Sequence, residues 1–343
     1  MLARVKTVGV LLVNLGTPDS PRPADVRRYL REFLGDPRVI DLPAPARWLL
    51  LEAVILPFRP RRSAAAYRQI WTEAGSPLLV HGRALCEAMA KQLGAGFRVE
   101  LAMRYGRPSV PDAIDALTGD GIDRIVVLPL FPQYASSSTG SALEHVYRSA
   151  ARRGNVPSLQ VVPPFYSDSG FIRAAAAAAR GDLDGFAPDH LLLSYHGLPE
   201  RQVRAGGSGC LRSADCCESI GPANSACYRA HCFATSRALT AELGLEPQAV
   251  SLAFQSRLGR AAWIGPSLED ELARLAAAGV RRLAVMCPSF VADCLETLEE
   301  VGIRARDTWR GLGGQELRLL PCVNAHPEWV RAASDLVRAR AEA

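Results

Sequence analysis

The sequence predicts an α/β fold built from two similar domains, each a parallel sheet flanked by helices. Three observations support this prediction. The chain has 343 residues, too many for one ordinary core. Short apolar runs of strand length alternate with longer helical segments. The second half also repeats motifs of the first, since Pro108, Gly121 and Arg124 recur as Pro266, Gly279 and Arg282 with the same offset of 158.

The repeat sets the expected domain boundaries. We expect a first half over residues 1–165 and a second over residues 166–326. The last helix, residues 327–343, is expected to pack back on the first half.

Composition excludes several function classes. The net charge of +5 comes from scattered arginines and is too weak to indicate a nucleic-acid partner. No stretch reaches the roughly 18 apolar residues that a membrane span needs. The N-terminal sequence shows no signal-peptide cleavage pattern. We therefore expect a cytoplasmic protein.

The first strand, Val8–Asn14, ends in the turn Leu15–Pro18, and a helix follows near Asp25. This Gly-Thr-Pro turn matches neither a dinucleotide fingerprint nor a P-loop, so no nucleotide site is predicted.

The segment 46–62 is apolar on nearly every side of a short helix and ends in arginines. A buried core helix is slightly favoured. The alternative is a hydrophobic lip that rests on a membrane surface or admits an apolar substrate, with its arginines at the lipid headgroups.

The next strands are Val99–Tyr105 and Arg124–Leu130, and the second opens into a loop rich in hydroxyl groups. A loop between a strand end and a helix start presents free backbone N–H groups to anions. An ordinary helix cap would explain one hydroxyl. Four consecutive hydroxyls favour a carboxylate-binding loop: Ser136, Ser137, Ser138 and Thr139.

In the second half, a buried strand ending at Leu193 runs into His196. Ligands of open α/β sheets bind just beyond the carboxyl ends of strands. A histidine there can exchange protons near neutral pH or bind a metal, although it could also be a turn residue that bonds a carbonyl. Its counterpart in the repeat is Leu15, so the turn itself does not require histidine. A chemical role is therefore favoured.

The strand Arg282–Cys287 leads to a helix that should begin at Cys294. This helix should place Glu296 and Glu300 on one face, because they are four residues apart. The structural alternative is a capping box between Asp293 and Glu296. By the repeat, however, this helix begins at the same sheet edge as His196. Two carboxylates and an imidazole at one edge suit proton transfer or the holding of a divalent cation.

Four separate motifs resemble one known family, the ferrochelatases: LLVNLGTP at 11–18, LPLFPQYASSSTGS at 128–141, SYHGLP at 194–199 and FVADCLETLEE at 290–300. The resemblance covers nearly the whole chain. It implies two Rossmann-like halves with a porphyrin cleft between them. It also implies the insertion of Fe²⁺ into protoporphyrin IX, which gives protohaem and releases two protons.

The resemblance also implies roles for individual residues. His196 and Glu296 would contact the metal and act in catalysis together with Glu300. The residues expected to bind the porphyrin are Leu15, Tyr134, Ser136, Ser137, Thr139 and Trp263. An apolar residue at position 15 resembles the protoporphyrin-using branch of the family. The alternatives are a coproporphyrin- or sirohydrochlorin-type chelatase that inserts iron, cobalt or nickel, and a non-catalytic haem or iron–sulfur module.

Five of the nine cysteines fall in the segment 206–232, which looks like an insertion after the His196 turn. Disulfides are not expected in a reducing compartment, and paired zinc-ribbon knuckles are absent from the sequence. Structural free thiols are the less favoured alternative. Some ferrochelatases carry a 2Fe–2S cluster on an internal segment of this kind. The resemblance implies the ligands Cys210, Cys217, Cys227 and Cys232, with Cys216 able to replace Cys217.

The expected partners are therefore protoporphyrin IX and ferrous iron, with no nucleic acid. Peripheral contact of this cytoplasmic protein with the inner membrane is a further expectation. The sequence predicts no oligomeric state.

Overall fold

A computed structural model describes residues 7–207, 210–213, 215–257 and 261–342. They form two compact α/β units, and each unit contains one four-stranded parallel sheet. The predicted fold class is confirmed.

Unit 1 contains the residues up to Leu130, Ser136–Pro163 and the chain from Val330 onward. Its parallel sheet has the order β2-β1-β3-β4. The strands are β1 (Val8–Thr17), β2 (Phe97–Gly106), β3 (Arg124–Pro129) and β4 (Ser158–Val161). The central strand β1 is buried from Val10 to Val13, as expected when helices cover both faces of a parallel sheet.

The helices of unit 1 follow the strands in βαβ fashion. They are α1 (Pro23–Gly35), α2 (Ala44–Leu49), a π-helix (Leu50–Ile55), α3 (Leu56–Ile70), α4 (Pro77–Leu93), α5 (Val110–Gly119), a second π-helix (Ser136–Gly140) and α6 (Ser141–Ala151).

The segment 46–62 corrects one expectation. Leu51 and Leu56 are buried, but Trp48 is 64% exposed and Phe58 is 71% exposed. A buried core helix is therefore the wrong prediction for this stretch. The apolar residues of this segment occupy every side of the helix. The core of unit 1 covers only one side, and the residues on the other sides stay exposed. We call the exposed residues of this segment the apolar lip: Trp48, Leu49, Val54 and Phe58.

Unit 2 contains Phe131–Ala135 and Pro164–Trp329, and its parallel sheet has the order β6-β5-β7-β8. The strands are β5 (His190–His196), β6 (Val250–Gln255), β7 (Arg282–Met286) and β8 (Glu316–Leu319). The strand order matches that of unit 1 element by element, as the sequence repeat predicts. Ser109 and Ser267, a repeat pair, cap equivalent helices by accepting the N–H groups of Asp112 and Asp270.

The helices of unit 2 enclose a core in which Trp309 is fully buried beneath β5, β6 and β7. They are α7 (Ser169–Phe186), α8 (Glu200–Arg204), α9 (Tyr228–Leu243), a 3₁₀ turn (Pro247–Ala249), α10 (Leu268–Ala277), a third π-helix (Glu296–Ala305) and α11 (Arg306–Gly311).

The final helix, α12 (Pro327–Ala341), belongs to unit 1 from Val330 onward. Within that unit, Arg338 donates to the backbone oxygen of Gln92 at 2.7 Å. The sequence-based boundaries at 165 and 326 lie close to the observed division. The short segment Phe131–Ala135, which the sequence assigns to the first half, groups with unit 2. In the part of the chain that the structure describes, we find no helix with the length and apolarity of a bilayer span.

Candidate functional site

His196 is the last residue of β5, and three hydrogen bonds restrain it. The backbone N–H of His196 donates to Ser289 Oγ at 3.1 Å, and the backbone oxygen of His196 accepts from Tyr228 Oη at 2.8 Å. Its Nδ1 lies 2.6 Å from the oxygen of Gly197. Because a carbonyl oxygen only accepts, Nδ1 must carry the proton in this bond. The Nε2 lone pair of the neutral ring is then the atom that can accept a proton or contact a metal ion.

Gly197 allows the turn after His196 to pass close to the neighbouring strand. A Cβ at Gly197 would lie 2.8 Å from the oxygen of Gln255 and 3.2 Å from Trp263 Cε3. The repeat partner Gly16 likewise leaves no room for a Cβ beside the backbone of Tyr105. Trp263, a sequence-predicted porphyrin contact, therefore lies against the His196 turn.

The helix after β7 corrects a second expectation. It is a π-helix that begins at Glu296, and no side chain caps its first turn. The carboxylate of Asp293 instead accepts from Thr297 Oγ1 at 3.1 Å and from Asn324 Nδ2 at 2.8 Å. The capping box between Asp293 and Glu296 is therefore wrong, because other side chains satisfy Asp293. Local π-helical geometry is common at functional sites.

A buried glutamine supports the start of this π-helix. Gln255, the last residue of β6, donates from Nε2 to the backbone oxygen of Glu296 at 2.7 Å. Its Oε1 accepts from Ser194 Oγ at 2.7 Å. With both ends of the amide bonded, the Gln255 side chain links β5, β6 and the π-helix in one arrangement.

Ser256 holds the carboxylate of Glu300. Its N–H donates to Oε1 at 2.8 Å and its hydroxyl donates to Oε2 at 2.6 Å. This two-pronged bond requires the left-handed backbone of Ser256, where φ is +67°. Such a conformation is uncommon for a residue with a side chain and often marks a functional site.

Glu300 lies within electrostatic reach of both His196 and Glu296. Burial raises the pKa of the Glu300 carboxyl, the Ser256 hydrogen bond and His196 lower it, and Glu296 raises it again; the net direction is upward. The three residues that the sequence assigns to catalysis thus lie at the end of β5 and on the π-helix that follows β7, and His196 and Glu296 both influence the pKa of Glu300. Arg304 ends this acidic row, since it pairs with Glu299 at 3.0 Å and lies 4.0 Å from Glu300.

The four cysteines expected to bind an iron–sulfur cluster are all buried: Cys210, Cys217, Cys227 and Cys232. The thiols of Cys217 and Cys210 both influence the pKa of Cys227. Sharing a proton with Cys217 lowers the pKa of Cys227, and the same hydrogen bond together with burial raises the pKa of Cys217. Cys227 is thereby biased toward the thiolate, the form that binds metals.

Positive charge lies beside these sulfurs. Arg229 Nη1 donates to Cys217 Sγ at 3.1 Å, and its guanidinium stacks on the ring of Phe233. Cys216 is only half-buried, with its sulfur 3.8 Å from that of Cys217. In the described ranges, no three histidine, cysteine or carboxylate side chains form a complete metal-binding group.

The hydroxyl-rich loop forms the π-helix Ser136–Gly140 in unit 1 and does not cap α6, whose first turn has no side-chain cap. Ser136 Oγ accepts from Arg38 Nη1 at 2.9 Å, and Arg38 also pairs with Glu144 at 2.6 Å. Thr139 Oγ1 is buried and has no hydrogen-bond partner within the described part of the chain. The loop therefore combines a hydroxyl that is bonded to the guanidinium of Arg38 with a buried hydroxyl three residues further along the chain.

The remaining predicted porphyrin contacts fall in different units. Leu15 lies half-buried near the end of β1 in unit 1, the same unit as Ser136, Ser137 and Thr139. Tyr134 groups with unit 2, where its N–H donates to Nδ1 of the buried His231 at 3.2 Å. The structure thus assembles Trp263 with the histidine–glutamate site and places the hydroxyl loop in the equivalent position of unit 1.

Sequence reasoning missed Gln255, Ser256, Tyr228 and Ser289. The signal for the first two was available, because polar residues end β6 where the repeat partner β2 also carries a polar residue, Arg104. Nothing in the sequence pattern separates Tyr228 and Ser289 from ordinary loop and helix residues.

Comparison with known proteins gives a consistent result. The family model described as ferrochelatase matches residues 7–341. A ferrochelatase of Coxiella burnetii (strain CbuK_Q154) is 47% identical over 334 residues, covering 96% of this chain and 93% of that protein. A ferrochelatase of Pseudomonas putida (strain KT2440) is 48% identical, covering 95% of this chain and 97% of that protein. One from Legionella pneumophila (strain Lens) is 46% identical, covering 96% and 98%.

Among solved structures, SirB from Bacillus subtilis with Fe³⁺ aligns with a TM-score of 0.56. The alignment covers 98% of this chain and 96% of SirB at 13% sequence identity. At that identity the likeness shows a shared fold alone.

Proposed function

This chain belongs to the ferrochelatase family, and we propose that it inserts Fe²⁺ into protoporphyrin IX at the site formed by His196, Glu296 and Glu300. It is an enzyme of haem biosynthesis that inserts iron into a porphyrin. The observation that supports this site is that His196 ends β5 while Glu296 and Glu300 lie on the π-helix after β7, with His196 and Glu296 both acting on the pKa of Glu300.

The chemistry of insertion suits these groups. A free-base porphyrin must lose two pyrrole protons as the metal enters, so a positioned base accelerates the reaction. The Nε2 atom of His196 is the acceptor that its hydrogen bond to Gly197 leaves available. Glu296, the first residue of the π-helix, would supply a carboxylate oxygen to the incoming iron. Carboxylate and imidazole ligands both suit ferrous iron. Burial raises the pKa of Glu300, which makes its carboxylate a better proton acceptor than an exposed one.

The choice of protoporphyrin rests on Leu15 and on the hydroxyl loop. An apolar side chain at position 15 favours an apolar porphyrin edge, and Arg38 with Ser136 and Thr139 suits a propionate carboxylate. Coproporphyrin carries two further carboxylates and would need more cationic partners. A sirohydrochlorin substrate is the alternative, although the likeness to SirB supports only the fold.

The decisive experiment is an anaerobic metal-insertion assay followed by visible absorbance. Purified protein is incubated with Fe²⁺ or Zn²⁺ and, in separate reactions, protoporphyrin IX, coproporphyrin III or sirohydrochlorin. We expect insertion into protoporphyrin at a kcat/KM at least tenfold above that for either competitor. Faster metallation of coproporphyrin or sirohydrochlorin would contradict the substrate assignment, and no metallation of any of them would contradict the enzyme assignment.

We further propose a 2Fe–2S cluster held by Cys210, Cys217, Cys227 and Cys232. Burial of all four thiols, the lowered pKa of Cys227 and the adjacent Arg229 support it, since such a cluster carries net negative charge. When bound, the cluster would supply a one-electron redox centre and a cross-link between the cysteine segment and α9. The half-exposed Cys216 is left outside this ligand set.

We also propose that the apolar lip rests on a membrane surface. Its four exposed apolar residues lie on the helices Ala44–Ile70, which also carry Arg47, Arg59, Arg61 and Arg62. Apolar side chains inserted at a headgroup layer, with arginines beside them, are the usual features of a peripheral membrane contact.

The double substitution Trp48→Ser and Phe58→Ser is expected to weaken binding to vesicles that contain phosphatidylglycerol by at least tenfold. Each large apolar side chain contributes about 1.5–3 kcal/mol when it leaves water. Vesicle co-sedimentation measures the change. Val156→Ser, at an exposed apolar residue elsewhere in unit 1, is the control and should bind within twofold of wild type. Equal binding by the double variant would contradict the proposal.

A further inference from the structure

Tyr228 connects the cysteine segment to the histidine of the active site. It follows Cys227 directly at the start of α9, and its side chain is buried. Its hydroxyl donates to the backbone oxygen of His196 at 2.8 Å. One side chain of the cysteine-bearing helix therefore contacts the residue that removes the porphyrin protons.

The contact restrains the part of the backbone that sets the direction of the imidazole. The N–H of His196 is held by Ser289, and its carbonyl is held by Tyr228. The ring itself is held by the oxygen of the next residue, Gly197. If the His196–Gly197 peptide rotated, the ring would lose that partner, and Nε2 would point elsewhere. The Tyr228 hydroxyl is the side-chain donor that opposes this rotation.

The same hydroxyl also meets the sulfur side. Burial raises the pKa of the Tyr228 hydroxyl well above its usual value, Cys232 raises it further and Ser289 lowers it, so both side chains act on this hydroxyl. The hydroxyl of the neighbouring Tyr195 does not contact His196, because it lies 2.9 Å from Ser236 Oγ, and Ser236 donates to the backbone oxygen of Cys232 at 3.0 Å.

We propose that Tyr228 is a positioning residue that holds the His196 turn in its reactive orientation and ties that orientation to the cysteine segment. The proposal rests on iron insertion as the function, but it does not require the cluster. Tyr228 touches neither substrate nor reacting atoms and acts only through His196. A change at Cys232 would reach the active site through this hydroxyl.

Tyr228→Phe tests the proposal, because phenylalanine keeps the ring that fills the space and removes only the hydroxyl. We expect kcat for protoporphyrin metallation to fall about tenfold, as for the loss of one good buried hydrogen bond. The KM for porphyrin should stay within twofold of wild type. Iron content and the visible spectrum of the purified protein should not change.

A second readout is independent of activity. In protein labelled with ¹⁵N-histidine, the Nδ1 proton of His196 should give a protected signal, assigned by its loss in His196→Ala. Only six histidines contribute to this spectrum. In Tyr228→Phe that signal should shift and exchange with solvent at least tenfold faster.

Tyr195→Phe is the matched control. Tyr195 is a fully buried tyrosine beside His196, but its hydroxyl bonds Ser236 and not the histidine. We expect its kcat and its His196 signal to stay within twofold of wild type. The proposal is overturned if Tyr228→Phe retains wild-type kcat and signal, or if Tyr195→Phe loses as much. A wild-type protein that metallates no porphyrin would refute the proposed function instead, and the His196 signal would still decide the role of Tyr228.

Discussion

Replacing His196 with alanine is expected to lower kcat for iron insertion by about 100- to 10,000-fold, the usual contribution of a positioned general base. The imidazole is held by Gly197 and leaves Nε2 as the proton acceptor, while the carboxylate of Glu300 is held by Ser256. Single-turnover metallation of protoporphyrin measures the effect. The KM for porphyrin should change much less than kcat, because the ring contributes little apolar contact.

His190→Ala is the control for this experiment. His190 begins the same strand, β5, and bonds Ser251 at 2.9 Å at the opposite end of the sheet. Its loss should leave kcat within twofold of wild type in protein that remains folded. Full activity of His196→Ala would remove the histidine from the mechanism, and equal losses in both variants would indicate a general effect on the sheet.

Cys227→Ser is expected to abolish the iron–sulfur cluster, with loss of the brown colour and of both irons per chain. Cys227 is buried, and the neighbouring thiol of Cys217 lowers its pKa, which biases it toward the thiolate. A serine hydroxyl at that position does not ionise near neutral pH and binds iron far more weakly than a thiolate. Anaerobic iron and sulfide analysis, together with the visible spectrum, measures the change.

Two other cysteines give the controls. Cys86→Ser, in unit 1, should keep the full iron content, since Cys86 bonds only the backbone oxygen of Val99. Cys216→Ser should keep it too, which would separate Cys216 from its neighbour Cys217. Retention of colour and iron in Cys227→Ser would show that the ligand set is wrong. Loss of iron in Cys216→Ser would exchange the roles of the two adjacent cysteines.

The π-helix of unit 2 shows which features the sequence predicts and which depend on contacts between distant residues. The sequence correctly places Glu296 and Glu300 near the start of a helix at the edge formed by the carboxyl ends of the strands. It also offers a capping box with Asp293, and that pairing is wrong because Thr297 and Asn324 occupy the Asp293 carboxylate. A pattern of neighbouring residues cannot show which of several donors forms the hydrogen bond to a carboxylate in the folded chain.

The apolar lip shows the same limit for burial. A run with apolar residues on every side looks like a core helix, because the sequence records how apolar a residue is but not what covers it. Only the packing of unit 1 decides that Leu51 and Leu56 are buried while Trp48 and Phe58 face solvent.

By itself, the sequence determined the α/β class, the internal repeat, the family, and the positions of His196, Glu296 and Glu300, since periodicity and motif spacing are properties of neighbouring residues. The tertiary structure alone decided what holds those residues in place. Ser256 clamps Glu300, Gln255 supports the π-helix, and Tyr228 restrains His196. Each of these bonds joins residues that are more than 30 positions apart in the chain. The distance in space between the two partners is set only when the strands and helices pack.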